Sequence, residues 1–244
     1  LQKMVVLLNG NFKRARKVWK LTHHPMADVE RLTVPKRTDL VFYSPEEVHA
    51  LVRAAADEQD AALFLTAALT GLRMGELLAL RWRDVDFPAQ SLRVTSSYTL
   101  GKLGTPKSGL GRVVPLVDEV AKALARLGTR EHWTGPDDLV FAGQTGEYLD
   151  DSALRRRFKR ARDAAALRPL RFHDLRHTFG SIAIRTVDPR ELQEWMGHSD
   201  FATTQLYMHY KPRADAARRL SAAFGTASAD EDDVEVASEE QRSS

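Results

Sequence analysis

With 244 residues, 43% hydrophobic and 28% charged, the chain has a globular composition, long enough for one substantial core and a small appendage. It holds no cysteine, which excludes disulfides, thiolate zinc sites and cysteine nucleophiles; no apolar run approaches a membrane-spanning helix, and the cytoplasm is the expected compartment. The net charge of +3 conceals an asymmetry: residues 226–244 carry seven acidic residues against one arginine, so the rest is distinctly basic, a balance that suits nucleic acid as well as plain solubility.

In chain order, Gln2 to Lys20 reads as a helix with Val5, Leu8, Phe12, Ala15 and Trp19 on one side, a stripe that needs a partner. From Thr22 to Leu40 the periodicity breaks around Pro25 and Pro35, as in a linker. Ser44-Pro45-Glu46-Glu47 opens the next helix with a serine cap, a proline at the first position and a capping-box glutamate. Ala61 to Leu69 follows as an apolar helix that Gly71 stops. Arg73 stands just past that glycine, with Glu76 three residues on. An arginine at such a junction can bind a phosphate through two N–H groups, although an isolated Arg73–Glu76 pair would equally be a helix ion pair.

From Ser91 the pattern alternates, through Leu92, Val94 and Tyr98, and does so again over Val113 to Leu116. This predicts a β-hairpin whose tip carries Lys102 and Lys107. A lysine on a mobile loop can protonate a leaving oxygen, though most exposed lysines are merely solvated. Asp118 is expected to cap a helix reaching about Leu127, and Leu139-Val140-Phe141 before Gly143 to form a short strand or turn. Asp151 starts a helix that buries Leu154, Phe158 and Ala161 and presents a basic face including Arg156, Arg157 and Lys159.

The stretch from Arg171 to Tyr210 concentrates unusual polar side chains between apolar helical patterns. His173 and Arg176 lie three apart at a helix start and share one face. Asp188-Pro189 begins another helix, which Gly197 closes; His198 follows, and Tyr207 comes nine positions later. An arginine, two histidines and a tyrosine on consecutive short elements can converge on one anion. A phosphodiester under attack by oxygen spreads charge over its non-bridging oxygens, which calls for guanidinium and imidazole donors, and a tyrosine hydroxyl can be the nucleophile. His173 and His177 stand four apart, yet no third ligand is evident and Arg176 between them would repel a cation. No metal is therefore expected, and His177 reads as a core or supporting histidine. Arg213 to Phe224 has the pattern of a last helix, and the acidic tail has too little apolar content to fold.

Four of these segments together carry a resemblance. His173-Asp-Leu-Arg176-His177-Thr-Phe, Met196-Gly197-His198-Ser199 with Thr203-Thr204-Gln-Leu-Tyr207, Thr70-Gly71-Leu72-Arg73-Met74-Gly75-Glu76-Leu77, and Thr105-Pro106-Lys107-Ser108 before Arg112 resemble the motifs of the tyrosine recombinase (phage integrase) family. The resemblance implies an α+β, mainly α catalytic domain with a small antiparallel β-sheet edge over 41–225. Ahead of it would lie the last helix of a truncated core-binding domain (1–21) and a linker (22–40), and behind it a disordered acidic tail (226–244). It further implies a site-specific recombinase that cleaves and rejoins DNA through a 3′-phosphotyrosyl intermediate, without cofactor or metal. Tyr207 would be the nucleophile in preference to Tyr210, Arg73, Arg176 and His198 would hold the phosphate, Glu76 would support Arg73, His173 would assist proton transfer, and Lys107 would protonate the leaving oxygen in preference to Lys102. Beside such a site, Arg156, Arg157 and Lys159 would contact the DNA backbone. The partners implied are double-stranded DNA, further copies of the chain in a tetramer held through the C-terminal helix, and an accessory DNA-bending protein. Type IB topoisomerase-like relaxation and a non-catalytic DNA-binding regulator are the alternatives.

Overall fold

The computed structural model describes residues 2–27, 29, 40–106, 109 and 111–210. Two compact units divide the chain, Leu1–Asp39 and Leu40–Ser244. In the first, α1 (Gln2–Trp19) forms as the periodicity predicts, and Phe12 packs near His24 with ring centroids 6.3 Å apart. The expected stripe is only partly covered: Ala15 is buried and Phe12 half-buried, whereas Leu8 is exposed and Trp19 is 74% exposed.

The second unit begins with α2 (Pro45–Arg53), and its capping box is complete: the Ser44 hydroxyl accepts from the Glu47 amide at 3.2 Å and the Glu47 carboxylate from the Ser44 amide at 2.7 Å. Next comes α3 (Glu58–Thr70), whose Leu63, Phe64, Leu65, Ala67 and Ala68 are all buried. A helix apolar on every side belongs inside a fold. It packs against α2, against α5 (Asp118–Leu127) and against α7 (Asp174–Ala183). Phe64 meets Phe158, from α6 (Asp151–Ala164), and Phe172 edge to face at 5.6 and 6.3 Å. The short α4 (Met74–Leu78) follows α3, and α8 (Pro189–Met196) and α9 (Phe201–Met208) end the described chain. Beneath α7, α8 and α9 lies a satellite cluster of Phe179, Ile184, Leu192, Met196 and Tyr207.

The sheet differs from the single hairpin the alternation predicts. In the first sheet β1 (Val85–Asp86), β2 (Ser91–Val94) and β5 (Arg112–Pro115) run antiparallel in the order β1-β2-β5, with Leu92 opposite Val114. The chain between β2 and β5 folds back as a second, two-stranded hairpin of β3 (Ser97–Thr99) and β4 (Lys102–Gly104). Leu100 and Gly101 turn at positive φ at its tip, so Lys102 lies on a strand. Lys107 lies outside the described residues, as do the segment Arg213 to Phe224 and the acidic tail. Asp118, expected as a cap, is instead the first residue of α5, preceded by Val117 with no side-chain cap, whereas α6 starts at Asp151 as expected, with Asp150 as its cap. Leu139 and Ala142 make isolated bridges to Arg81 and Tyr148 in place of a strand.

Candidate active site

Gly71 and Gly197 set the site's geometry. Gly71 ends α3 in the left-handed region, at φ 65°, where a Cβ would overlap the Phe179 ring. This abrupt stop delivers Arg73 to the start of α4, and a close approach fixes α4 in turn: a Cβ on Gly75 would lie 2.6 to 2.8 Å from Ser97 Oγ, Tyr98 O and Thr99 Oγ1. The β3–β4 hairpin therefore sits directly on the helix that carries Arg73. Gly197, at φ 61°, closes α8 in a Schellman turn, its amide donating to Glu194 O at 2.9 Å and the His198 amide to Gln193 O at 3.1 Å.

At that helix end three consecutive carbonyls each accept from a different arginine. Arg112 Nε donates to Trp195 O at 2.7 Å, Arg176 Nη2 to Met196 O, and Arg73 Nη2 to Gly197 O at 2.8 Å. The carbonyl end of a helix is its negative pole, so it draws guanidinium groups. Arg176, 4% exposed, also donates through Nη1 to Gly71 O and so ties the ends of α3 and α8 together. Glu76, 2% exposed, binds the other two: it accepts from the Arg73 amide (2.8 Å) and Nη1 (2.9 Å) and from Arg112 Nη1 (2.9 Å) and Nη2 (2.7 Å). Burial opposes its charge, but the Arg112 and Arg73 contacts hold its carboxyl below the usual range. Three guanidiniums face one carboxylate, an excess of positive charge waiting for an anion. Burial and the neighbouring Arg73 lower the Arg176 pKa to about 9, still cationic at neutral pH.

The imidazoles and the phenol close the other side. His198 Nδ1 lies 2.9 Å from the Thr204 hydroxyl, and burial with the nearby Arg176, Arg73 and Arg112 pushes the ring down to about 3, so it is neutral at pH 7. Its plane lies parallel to that of Tyr207 within 2°, with centroids 6.2 Å apart. Tyr207 is 1% exposed, and burial raises its hydroxyl to about 12 against the pull of Arg176. Gly180 makes room for the ring, since a Cβ there would stand 2.5 Å from Tyr207 Cε1. The hydroxyl lies 2.9 Å from Nδ1 of His177. His173 caps α7 at the exposed rim, where loss of water on its inner side and the nearby His177 and Arg176 keep it below the ordinary imidazole range.

Arg73, His173, Arg176, His198 and Tyr207 line one cleft of about 360 Å³, with His177, Gly197, Ser199 and Thr203. Five of the six residues expected to be catalytic are thus brought together, with Glu76 beneath them. Among the described residues no group of three His, Asp or Glu side chains stands ready to hold a metal ion. Arg112 and His177 go beyond the site the sequence outlines, in which Arg112 only places the lysine and His177 reads as a core or supporting histidine. Neither has a local signal, because Arg112 reaches Glu76 from a strand 36 residues away and His177 meets Tyr207 from 30 away. Tyr210 packs, its hydroxyl donating to Leu40 O at 3.0 Å and its ring meeting Phe42 edge-on.

On α6, Arg156 is exposed, and Lys159 pairs with Asp163 at 2.9 Å. Arg157 departs from the outward-facing expectation. Its guanidinium turns onto Asp60 of α3, Nε 3.0 Å from a carboxylate that is 1% exposed and that burial raises to about 6.

A profile of the phage integrase family matches residues 42–213. The chain belongs to this family. It is similar to a tyrosine recombinase XerC of Xanthomonas axonopodis pv. citri (strain 306), 33% identical over 196 residues that cover 78% of this chain and 60% of the relative. A crystal structure of XerA recombinase aligns with a TM-score of 0.59 at 27% identity, covering 75% of this chain and 65% of that one. Lambda integrase, as a tetramer bound to a Holliday junction, aligns at 0.64 and 20% identity over 82% of this chain and 58% of its own, a likeness of fold. The chain spans about 60% of the length of the curated relatives it matches.

Proposed function

We propose that this chain is the catalytic part of a site-specific DNA recombinase that cuts and rejoins strands through a tyrosyl ester. The observation that carries the reading is the single cleft in which a buried tyrosine hydroxyl faces two arginines and three imidazoles. The scissile phosphate would sit on the guanidinium groups of Arg73 and Arg176, with neutral His198 donating to a non-bridging oxygen. Tyr207 Oη attacks phosphorus, the bond to the 5′ oxygen breaks, and Lys107 protonates that oxygen, leaving a 3′-phosphotyrosyl link. Attack by a second 5′-hydroxyl reverses the steps. The ester conserves the bond energy, so the chemistry needs neither nucleotide hydrolysis nor a cofactor.

The partners proposed are double-stranded DNA carrying a recombination site, a DNA-bending protein, and further copies of the chain assembled through the segment beyond Tyr210. Lambda integrase, a tetramer bound to a Holliday junction, supports the presence of further copies on the DNA. DNA as substrate makes the cytoplasm the compartment. The test is a nicked duplex that loses its leaving strand on cleavage, followed by denaturing electrophoresis. The expected result is a protein–DNA adduct that Tyr207→Phe abolishes and Tyr210→Phe retains; an adduct that survives Tyr207→Phe refutes the assignment. Relaxation of supercoils without exchange between two sites would move the chain to a topoisomerase.

A further inference from the structure

We propose that His177 is a catalytic residue, the base that takes the proton of Tyr207 as its oxygen attacks phosphorus. The inference rests on the recombinase reading and gives His177 a role that the resemblance did not imply. Its basis is position: among the described residues, His177 is the imidazole in hydrogen-bond contact with the reacting hydroxyl, Nδ1 to Oη at 2.9 Å. His173 approaches the tyrosine through His177, their rings meeting edge to face at 5.6 Å. His198 spends its Nδ1 on Thr204 and lies parallel to the phenol ring.

The proton count closes. With Nε2 protonated and Nδ1 bare, His177 accepts the Oη proton and becomes imidazolium, while the oxygen's electron pair forms the new bond to phosphorus. The bond from phosphorus to the 5′ oxygen breaks, and that oxygen takes its proton from the general acid. On rejoining, the phenolate leaves phosphorus and recovers the proton from His177. Burial, first, holds the free His177 ring below the ordinary imidazole range; of the charges around it, Asp174, one turn earlier on α7, favours the imidazolium, Arg176 and Arg171 oppose it, and His173, His198 and Tyr207 are neutral neighbours. A bound phosphate adds negative charge to the same cleft and shifts that balance toward the imidazolium.

Two measurements on the full chain test this. Without DNA, nitrogen NMR of ¹⁵N-histidine protein is expected to show His177 protonated at Nε2 and bare at Nδ1, with the Nδ1 signal moving in Tyr207→Phe; a proton on Nδ1 overturns the proposal. With DNA, the probe is a nicked duplex of the sequence the protein selects from a random pool, with a 5′-bridging phosphorothiolate at the cleaved position. Its sulfur leaves without a general acid. His177→Ala and His177→Asn are expected to slow adduct formation by at least about 100-fold on both the thiolate and the ordinary duplex, and raising the pH should recover part of the rate. Asn keeps a polar group near the Nδ1 position but accepts no proton, so a wild-type rate in His177→Asn means positioning only and overturns the proposal. If a variant fails to fold, the tautomer measurement still decides. An adduct that survives Tyr207→Phe would overturn Tyr207 as the nucleophile on which this proposal rests, an outcome separate from any His177 result.

Discussion

Glu76 shows how one side chain can hold a site together. Its carboxylate takes four hydrogen bonds from two arginines while almost wholly buried. Glu76→Gln leaves both guanidiniums short of charge in a low-dielectric setting and is expected to cost roughly 3–5 kcal/mol, measured by urea unfolding at pH 7. The pH dependence follows from the direction of its shift. A carboxyl held below its ordinary 4.5 in the fold contributes stability that is present above that pH and is lost as pH falls through the lower, folded value. The gap between wild type and Glu76→Gln should therefore be constant at neutral pH and narrow below about 4.5. Arg176→Lys tests a neighbouring point. A lysine keeps the charge but has no planar fork to bridge Gly71 O and Met196 O, so adduct formation should fall by roughly 100-fold or more while DNA is still bound.

At the scale of elements, the glycines that end helices decide where charge lands. Gly197→Ala must hold φ near 61° with its Cβ 3.1 Å from Arg112 Nη1, a cost of about 1–2 kcal/mol before any effect on activity. Gly180→Ala drives a methyl into the Tyr207 ring and is expected to destabilise by about 1–3 kcal/mol and to displace the phenol; calorimetry reads the first and the His177 nitrogen shift the second. These elements are legible in the sequence to different degrees. The helix from Pro45, the stop at Gly71 and the span from Asp188 to Gly197 are readable because caps and glycine stops act over three or four residues. The nested hairpin is not, because alternation marks strands without saying which strand pairs with which. The family motifs carry Arg73, His173, Arg176, His198 and Tyr207. Arg112 and His177 escape because their partners are distant in sequence, and periodicity cannot say which side chain a third element will touch. Arg157 misleads for the same reason: a basic run says nothing of an aspartate on the helix behind it.

For the whole molecule, the separation of surface charge from structural charge predicts how DNA is held. Replacing Arg156 and Lys159 by alanine should reduce the salt dependence of DNA binding by up to about 0.9 in log–log slope for each phosphate that is no longer neutralised. Arg157→Ala should leave the slope unchanged and lower the melting temperature, since its guanidinium serves Asp60. An unaltered slope in the first variant would remove α6 from the interface. The end of α8 carries a last consequence. One peptide turn gathers cations from three distant stretches of sequence, so the site cannot be dismantled by halves. A single local unwinding would take one contact from each of the three arginines at once, and exchange at the His198 amide should rise together with loss of activity across variants that loosen that turn.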